Sequence, residues 1–198
     1  MSALTTTQLG GLTSTQVGAM STLNVSGLSS TQLGALSLTQ EAGLTSTQVV
    51  VMTTTQLAGM AATQVAALTT TQLGGMSSVD VNALTTTQLG GLTATQVSAL
   101  STAQVKGLTS TQIANLTVTT QEGALTSTQV AVLSTAQLFG LTSIQFNALT
   151  TTQMDGLTAV QVAAFSTTQL VGLTSNQLDG LTTTQVDGFL STQVNALT

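Results

Sequence analysis

Seven side chains in this 198-residue sequence carry a formal charge near neutral pH, so acid–base or metal chemistry would have to come from them. Lys106 is the single basic residue, and His and Cys are absent. A chain without imidazole or thiol groups lacks the usual general base, the thiol nucleophile and the ligands that zinc prefers. The acidic residues are Glu41, Asp80, Glu122, Asp155, Asp179 and Asp187.

Two of these carboxylates, on Asp179 and Asp187, occupy equivalent places in neighbouring repeats, and calcium accepts such oxygen ligands. The sequence contains no ligand-rich loop of the D-x-D-x-D-G type, which favours solvated carboxylates over a metal site. We therefore predict no metal site and no cofactor. We also predict a solvated Lys106 and a helix-capping role for Asp80.

The numerous Ser and Thr hydroxyls do not form a catalytic pattern, because no base lies near any of them in the sequence. Three glycine pairs lack the GK[ST] or GxGxxG context of a phosphate-binding loop. They are Gly10–Gly11, Gly74–Gly75 and Gly90–Gly91. We expect no catalytic residue and no enzymatic activity.

The low charge also bears on macromolecular partners. One cation cannot neutralise a phosphate backbone and the only aromatic residues are four Phe, so we expect no nucleic-acid binding. The N-terminal segment MSALTTTQLGGLTSTQ has neither the basic nor the apolar region of a secretory signal. No stretch approaches the roughly 18 apolar residues that a spanning helix needs, so we expect no membrane span.

An eight-residue repeat runs through the sequence from Leu4. Octapeptide 1 is residues 4–11, octapeptide 24 is residues 189–196, and octapeptide 15 has an extra residue over 116–124. The consensus of positions 1 to 8 is apolar, Thr/Ser, variable, Thr, Gln, apolar, small or polar, and Gly/Ala. This regularity predicts one continuous repeat array over residues 4–198, with no separate domain.

A longer period is superimposed on the octapeptides. Odd-numbered octapeptides mostly end in Gly, as at Gly11 and Gly43, whereas most even-numbered ones end in Ala, as at Ala19. Position 6 is mostly Leu in odd octapeptides and Val or Ile in even ones. We interpret this as a 16-residue repeat with two different connections, of which the odd one needs a positive φ that glycine adopts easily.

Positions 2 and 5 have the spacing of a capping box, in which a Thr or Ser hydroxyl and a Gln side chain each bond to the other residue's backbone N–H. With Thr13 as the N-cap, Gln16 is N3, and Leu12 and Val17 are placed as a hydrophobic staple. The pattern predicts an all-α solenoid of very short capped helices, paired into 16-residue hairpins. The alternative is a β-solenoid with 16-residue coils, because Thr and Val favour strands, although positions 1 and 6 would then face opposite sides.

A single octapeptide cannot be stable alone. Ordering eight residues costs about 12 kcal/mol at about 1.5 kcal/mol each, and two buried aliphatic side chains return roughly 3–6 kcal/mol. The octapeptides must therefore stack on their neighbours. We expect positions 1 and 6 to form the core, with Met replacing Leu at position 1. Position 4 is expected to be partly buried, because apolar residues replace its Thr at Leu23, Val79, Ala103, Ala136, Ile144 and Val160.

Octapeptides such as LTTTQLGG, LTSTQVGA and LSSTQLGA resemble the LTTTQ(V/L/I)xA arrays of very long, low-charge bacterial proteins that are usually described as surface or adhesin-like. The resemblance covers residues 4–198. It implies an extracellular or cell-surface setting and brings no catalytic residues with it.

Two functions follow as hypotheses. The first is a structural protein that associates head to tail with copies of itself into an extracellular filament or fibre, because octapeptides 1 and 24 lack the polar caps that block stacking in solenoids. The second is a cell-surface adhesin stalk, or an ice- or surface-binding module that uses arrays of Thr. The ice-binding version requires Thr-x-Thr rows on a flat sheet.

Overall fold

The structure, a computed structural model, describes residues 4–116, 121 and 123–197. Across these residues, short α-helices of four to six residues alternate with turns and no strand is present. The all-α prediction is confirmed and the β-solenoid alternative is wrong. The helices are α1 Thr6–Gly10, α2 Ser14–Gly18, α3 Thr22–Ser26, α4 Ser30–Gly34, α5 Leu38–Glu41, α6 Ser46–Val50, α7 Thr54–Ala58, α8 Ala62–Ala67, α9 Thr70–Gly74, α10 Ser78–Ala83, α11 Thr86–Gly90, α12 Ala94–Ser98, α13 Thr102–Gly107, α14 Ser110–Ala114, α15 Ser127–Ala131, α16 Thr135–Gly140, α17 Ser143–Asn147, α18 Thr151–Asp155, α19 Ala159–Ala163, α20 Thr167–Val171, α21 Ser175–Asp179, α22 Thr183–Val186 and α23 Ser191–Val194.

The capping box begins most of these helices as predicted, but α3 has only the bond to the Ser21 hydroxyl, and α8 and α23 follow Ala61 and Leu190, which have no hydroxyl. In α2, the Thr13 hydroxyl accepts from the Gln16 N–H at 3.2 Å, and the Thr13 N–H donates to Gln16 Oε1 at 2.8 Å. Asp80 replaces Gln in α10 and accepts from the Ser77 N–H at 2.7 Å, which confirms its predicted capping role. Because each box joins residues three apart, the start of a helix that has the box is set locally by its own octapeptide.

The turn after each helix does not require glycine. Ala19 (φ −82°, ψ −8°) and Gly59 (φ −80°, ψ −10°) end their helices in the same right-handed conformation. No glycine among the described residues has a positive φ. The prediction of two connections with different backbone demands is therefore wrong, and the alternation of Gly and Ala needs another cause.

The helices pack in coils of three octapeptides. Within each of the two compact units, Met1–Gly107 and Leu108–Thr198, most helices contact the helix three octapeptides further along the chain, so one coil takes about 24 residues. The predicted pairing of two octapeptides into 16-residue hairpins is therefore wrong. The sequence pattern did not indicate this packing because the hydrogen bonds between coils join residues 28 to 31 positions apart, which a comparison of neighbouring octapeptides does not detect. These contacts run from α1 with α4, α2 with α5 and so on to α10 with α13, and then join α14 with α16, α15 with α18, α17 with α20, α18 with α21, α19 with α22 and α20 with α23.

The chain divides into two compact units, Met1–Gly107 and Leu108–Thr198, and each is a helical, solenoid-like stack with its own core. Whether the array over residues 4–198 acts as one domain stays a prediction. Positions 1 and 6 supply the buried apolar side chains in both units, and Met52, Met60 and Met76 replace core Leu as expected. In the second unit, Phe146 and Phe165 pack edge to face with ring centroids 4.5 Å apart.

Position 4 lies outside the core, contrary to expectation. Leu23 is 79% exposed and Ile144 is 74% exposed, and Val79 and Val160 are similarly open. Position 4 is the N2 residue of its helix and projects away from the neighbouring coils. Apolar residues are therefore tolerated there because nothing packs against them, rather than because the site is buried.

Candidate functional site

The glutamine at position 5 joins each coil to the one before it. Gln88 Oε1 accepts from the Thr85 N–H at 2.8 Å, while its Nε2 donates to the carbonyls of Leu57 and Met60 at 2.9 and 2.7 Å. The carbonyls belong to the turn between octapeptides 7 and 8, and Gln88 lies in octapeptide 11. A buried amide with both ends bonded costs little to bury and fixes the register of the coils.

The same bridge recurs along both units. Gln40 donates to Leu9 and Leu12, and Gln185 donates to Met154 and Leu157. Glutamine thus caps its own helix, as the sequence predicts, and also forms a ladder of hydrogen bonds between coils. The identity of its acceptors, 28 and 31 residues earlier, was not predicted.

The glycines at position 8 of odd-numbered octapeptides allow close approach between coils. A Cβ built on Gly91 would lie 3.2 Å from the carbonyl oxygen of Ala62, and one on Gly75 would lie 2.7 Å from that of Ser46. Eight such glycines face the small residue at position 3 of the octapeptide three units earlier, whereas Gly172 faces Asn147 at position 7 of that octapeptide. The pairs are Gly43 with Ser14, Gly59 with Ser30, Gly75 with Ser46, Gly91 with Ala62, Gly107 with Ser78, Gly140 with Ser110, Gly156 with Ser127 and Gly188 with Ala159.

The alternation of Gly and Ala follows from this contact. Because three is odd, an odd-numbered octapeptide always lies on an even-numbered one, where position 3 is Ser or Ala in these pairs. Gly180 ends the even-numbered octapeptide 22 and therefore lies on an odd-numbered one. A Cβ built on it would lie 3.7 Å from Cβ of Thr151, an ordinary contact, so glycine is not required there. The 16-residue period is therefore a matching rule between coils, not a structural repeat.

The first coil leaves its donors uncovered. Gln8 and Gln16 are exposed, and their Oε1 atoms make the capping bonds to Thr5 and Thr13. Within the described part of the chain, their Nε2 groups have no carbonyl to bond. Gly11 likewise has only its own helix nearby, since a Cβ built on it would meet the carbonyl oxygen of Gln8 at 3.4 Å.

The last coil leaves acceptors and apolar surface uncovered. At position 6, Val186 is 48% exposed and Val194 is 47% exposed, whereas Val162 in the coil before is fully buried. The carbonyls of Leu178 and Leu181 are equivalent to those that receive Gln bridges elsewhere. Within the described residues they accept no glutamine amide.

The charged residues are not brought together. Asp155, Asp179, Asp187 and Lys106 are exposed, and the described residues contain no group of three or more potential metal-ligating side chains. Lys106 lies in the last turn of α13, where a cation complements the helix dipole. The absence of metal sites, cofactors and catalytic residues stays a prediction. Glu122 lies outside the described residues.

Glu41 is the one acid with an unusual environment among the described residues. It occupies the apolar position 6 of octapeptide 5, is 1% exposed, and neither of its carboxyl oxygens has a hydrogen-bond partner. Desolvation by burial raises the pKa of Glu41 to about 8. The helices packed against α5, which are α2 and α8, carry no titratable residue, so no base or cation assists it.

The fold and these contacts define a class of protein: a repeat protein built as a helical, solenoid-like stack. The ALTTAQ repeat family model matches residues 81–118, 123–159 and 162–198, which is more than half of the chain. The chain therefore belongs to the ALTTAQ repeat family. No curated protein and no solved structure matches it.

Two further expectations meet the structure here. None of the helices in the described ranges is long and apolar enough to cross a membrane. The flat Thr-x-Thr sheet that the ice-binding hypothesis requires is not formed by the described residues, which fold into helices and turns.

Proposed function

We propose that this chain is a structural repeat protein whose copies associate end to end into an extracellular filament or fibre. The observation that carries the proposal is the complementarity of its first and last coils. Gln8 and Gln16 present unused amide donors, while the carbonyls of Leu178 and Leu181 are free of glutamine amides in the described chain. The last coil also presents half-exposed valines.

Hydrophobic burial supplies the driving force for this association. Val162 shows how completely a following coil covers position 6, and Val186 and Val194 would be covered in the same way. Burial of apolar side chains favours association, and the glutamine bridges add direction because they align donors with one set of carbonyls. The low charge of the chain leaves little repulsion between copies.

The proposal is tested by removing the donors while keeping the caps. In the double variant Gln8→Glu/Gln16→Glu, a carboxylate oxygen still completes each capping box, but the amide donor is replaced by an oxygen that repels the carbonyls. The control is Thr7→Glu/Thr15→Glu, which adds the same charge at exposed position-4 residues beside them.

Sedimentation velocity over a concentration series, with electron microscopy of the same samples, gives the readout. We expect linear particles that lengthen with concentration for the natural chain and the control, and short or single particles for the glutamine variant. A natural chain that stays monomeric at every concentration would overturn the proposal.

A second candidate function is a cell-surface stalk or surface-binding module. The exposed Thr side chains at position 4, including Thr7 and Thr15, favour it because they present hydroxyls outside the coil contacts. Binding of a monomeric chain to polar surfaces or to bacterial cells, lost on replacing these Thr residues by Val, is the expected result. Binding that is unchanged by the substitutions would contradict it.

A further inference from the structure

The matching rule between coils predicts more than end-to-end contact: it restricts the register of the joint. This inference rests on the proposed function. We propose that copies join with octapeptide 1 of one copy in the place that follows octapeptide 24 of the preceding copy, so that Gly11 lies on Ser175 and Gly27 lies on Ser191 of that copy.

The internal contacts give the geometry of this joint. The small residues that glycines cover at position 3, such as Ser14, Ser46 and Ala159, are half-buried. Ser175 and Ser191 hold the same position in even-numbered octapeptides of the last coil, yet both are exposed. Ser175 and Ser191 are therefore equivalent to serines that a position-8 glycine covers elsewhere, but no glycine of the described chain covers them.

The glycines of the first coil are the matching half. A Cβ on Gly27 would meet only Leu23 O at 3.3 Å and Asn24 O at 3.6 Å, both from its own helix. Gly11 is similarly open. Their internal counterparts would clash with the coil below, as Gly107 would with Ser78. Gly11 and Gly27 are thus glycines at a position that elsewhere makes a close contact with another coil, but they make no such contact within the described chain.

The proposed register fits the residues of the two coils better than a register displaced by one octapeptide. A joint displaced by one octapeptide would place Gly11 on Thr183 and Ala19 on a serine, which pairs the larger residues of one coil with the wrong partners of the next. In the proposed register Ala19 meets Thr183, the looser pairing seen where Gly180 faces Thr151.

Bulk added at the two glycines tests the register. The variant is Gly11→Val/Gly27→Val, and the control is Gly10→Val, since a Cβ on Gly10 has nothing within 4 Å and the proposed register does not place Gly10 on a residue of the preceding copy. Far-UV circular dichroism and thermal melting of each variant check that the helices still form, because neither glycine contacts another coil within the chain.

Sedimentation velocity then separates the outcomes. We expect the double variant to associate at least 10-fold more weakly than the natural chain, and Gly10→Val to associate normally. Unchanged association of the double variant would overturn the register while leaving end-to-end assembly standing. A natural chain that does not associate would instead overturn the proposed function, and the joint with it.

Discussion

Glutamine at position 5 has two structural roles, one for the oxygen and one for the nitrogen of its side-chain amide. Its oxygen closes the capping box of its own helix, and its nitrogen bonds the turn of the coil before, as Gln88 does to Leu57 and Met60. The first role could be predicted from the sequence because it joins residues three apart. The second could not, because a partner 28 or 31 residues away has no local signature.

Glu41 is the residue at which the repeat departs most sharply from its own chemistry. A carboxyl group in an apolar position without hydrogen bonds is costly to ionise. Position 6 is apolar in nearly every other octapeptide, so Glu41 departs from the consensus there. Its burial could be inferred from that register, although its lack of any partner required the structure.

The stability of the first unit should therefore depend on pH through Glu41. Its pKa of about 8 in the folded chain lies above the ordinary value of 4.5, so between these values the unfolded chain binds fewer protons than the folded one. Stability is greatest below pH 4.5 for this group and falls as the pH rises towards 8, by at most about 1.4 kcal/mol per pH unit.

Urea unfolding of the natural chain and of Glu41→Val across this pH range measures the effect. We expect the natural chain to lose stability with rising pH and the variant to lose less, while being more stable near pH 8. Parallel pH profiles for the two proteins would show that Glu41 does not titrate in this way.

At the scale of the helices, the sequence predicted the elements well and their connections poorly. The capped helices are found where the Thr/Ser-to-Gln spacing puts them. The glycines misled because a helix-terminal Gly suggests a left-handed turn, whereas Gly156 and Gly180 both have φ near −75°. Gly156 and Gly180 differ in the residue of the preceding coil that each lies against, Ser127 for Gly156 and Thr151 for Gly180, and this difference depends on the packing of the coils.

Two glycines in the second unit separate conformational from packing effects. Gly156 and Gly180 have nearly the same backbone angles, but a Cβ on Gly156 would lie 2.8 Å from the backbone carbon of Ser127, and one on Gly180 would lie 3.7 Å from Thr151 Cβ. We expect Gly156→Ala to destabilise by about 1–3 kcal/mol through overpacking. Gly180→Ala should be neutral or stabilising by up to about 1 kcal/mol.

Chemical denaturation monitored by circular dichroism compares the two variants. The pair is well matched, because each glycine ends its helix and precedes a Leu at position 1. Equal shifts in the unfolding midpoint would mean that backbone conformation, and not the approach of the coils, selects glycine.

At the scale of the whole chain, three periods act together. The octapeptide sets the helix, the coil takes three octapeptides, and the alternation of Gly and Ala over two octapeptides matches each coil to the next. From the sequence alone, the alternation of Gly43 and Ala19 indicated a two-helix repeat. Residue types alternate every two octapeptides, but no residue type recurs every three octapeptides to mark the coil. The position-3 partner, Ser14 under Gly43, carries the missing information.

The coil of three octapeptides is the central claim, and paired cysteines test it directly because the natural chain has none. Cβ of Ala66 and a Cβ built on Gly91 lie 3.5 Å apart, within the range of a disulfide, and belong to octapeptides three apart. The control pair, Ala66→Cys/Ala83→Cys, joins the equivalent positions of octapeptides two apart.

After mild oxidation of the folded monomer, free thiols are counted and the cross-linked peptides identified by mass spectrometry. We predict that Ala66→Cys/Gly91→Cys forms an intramolecular disulfide and that the control pair keeps both thiols. A disulfide in the control pair, with free thiols in the Ala66→Cys/Gly91→Cys variant, would contradict the three-octapeptide coil.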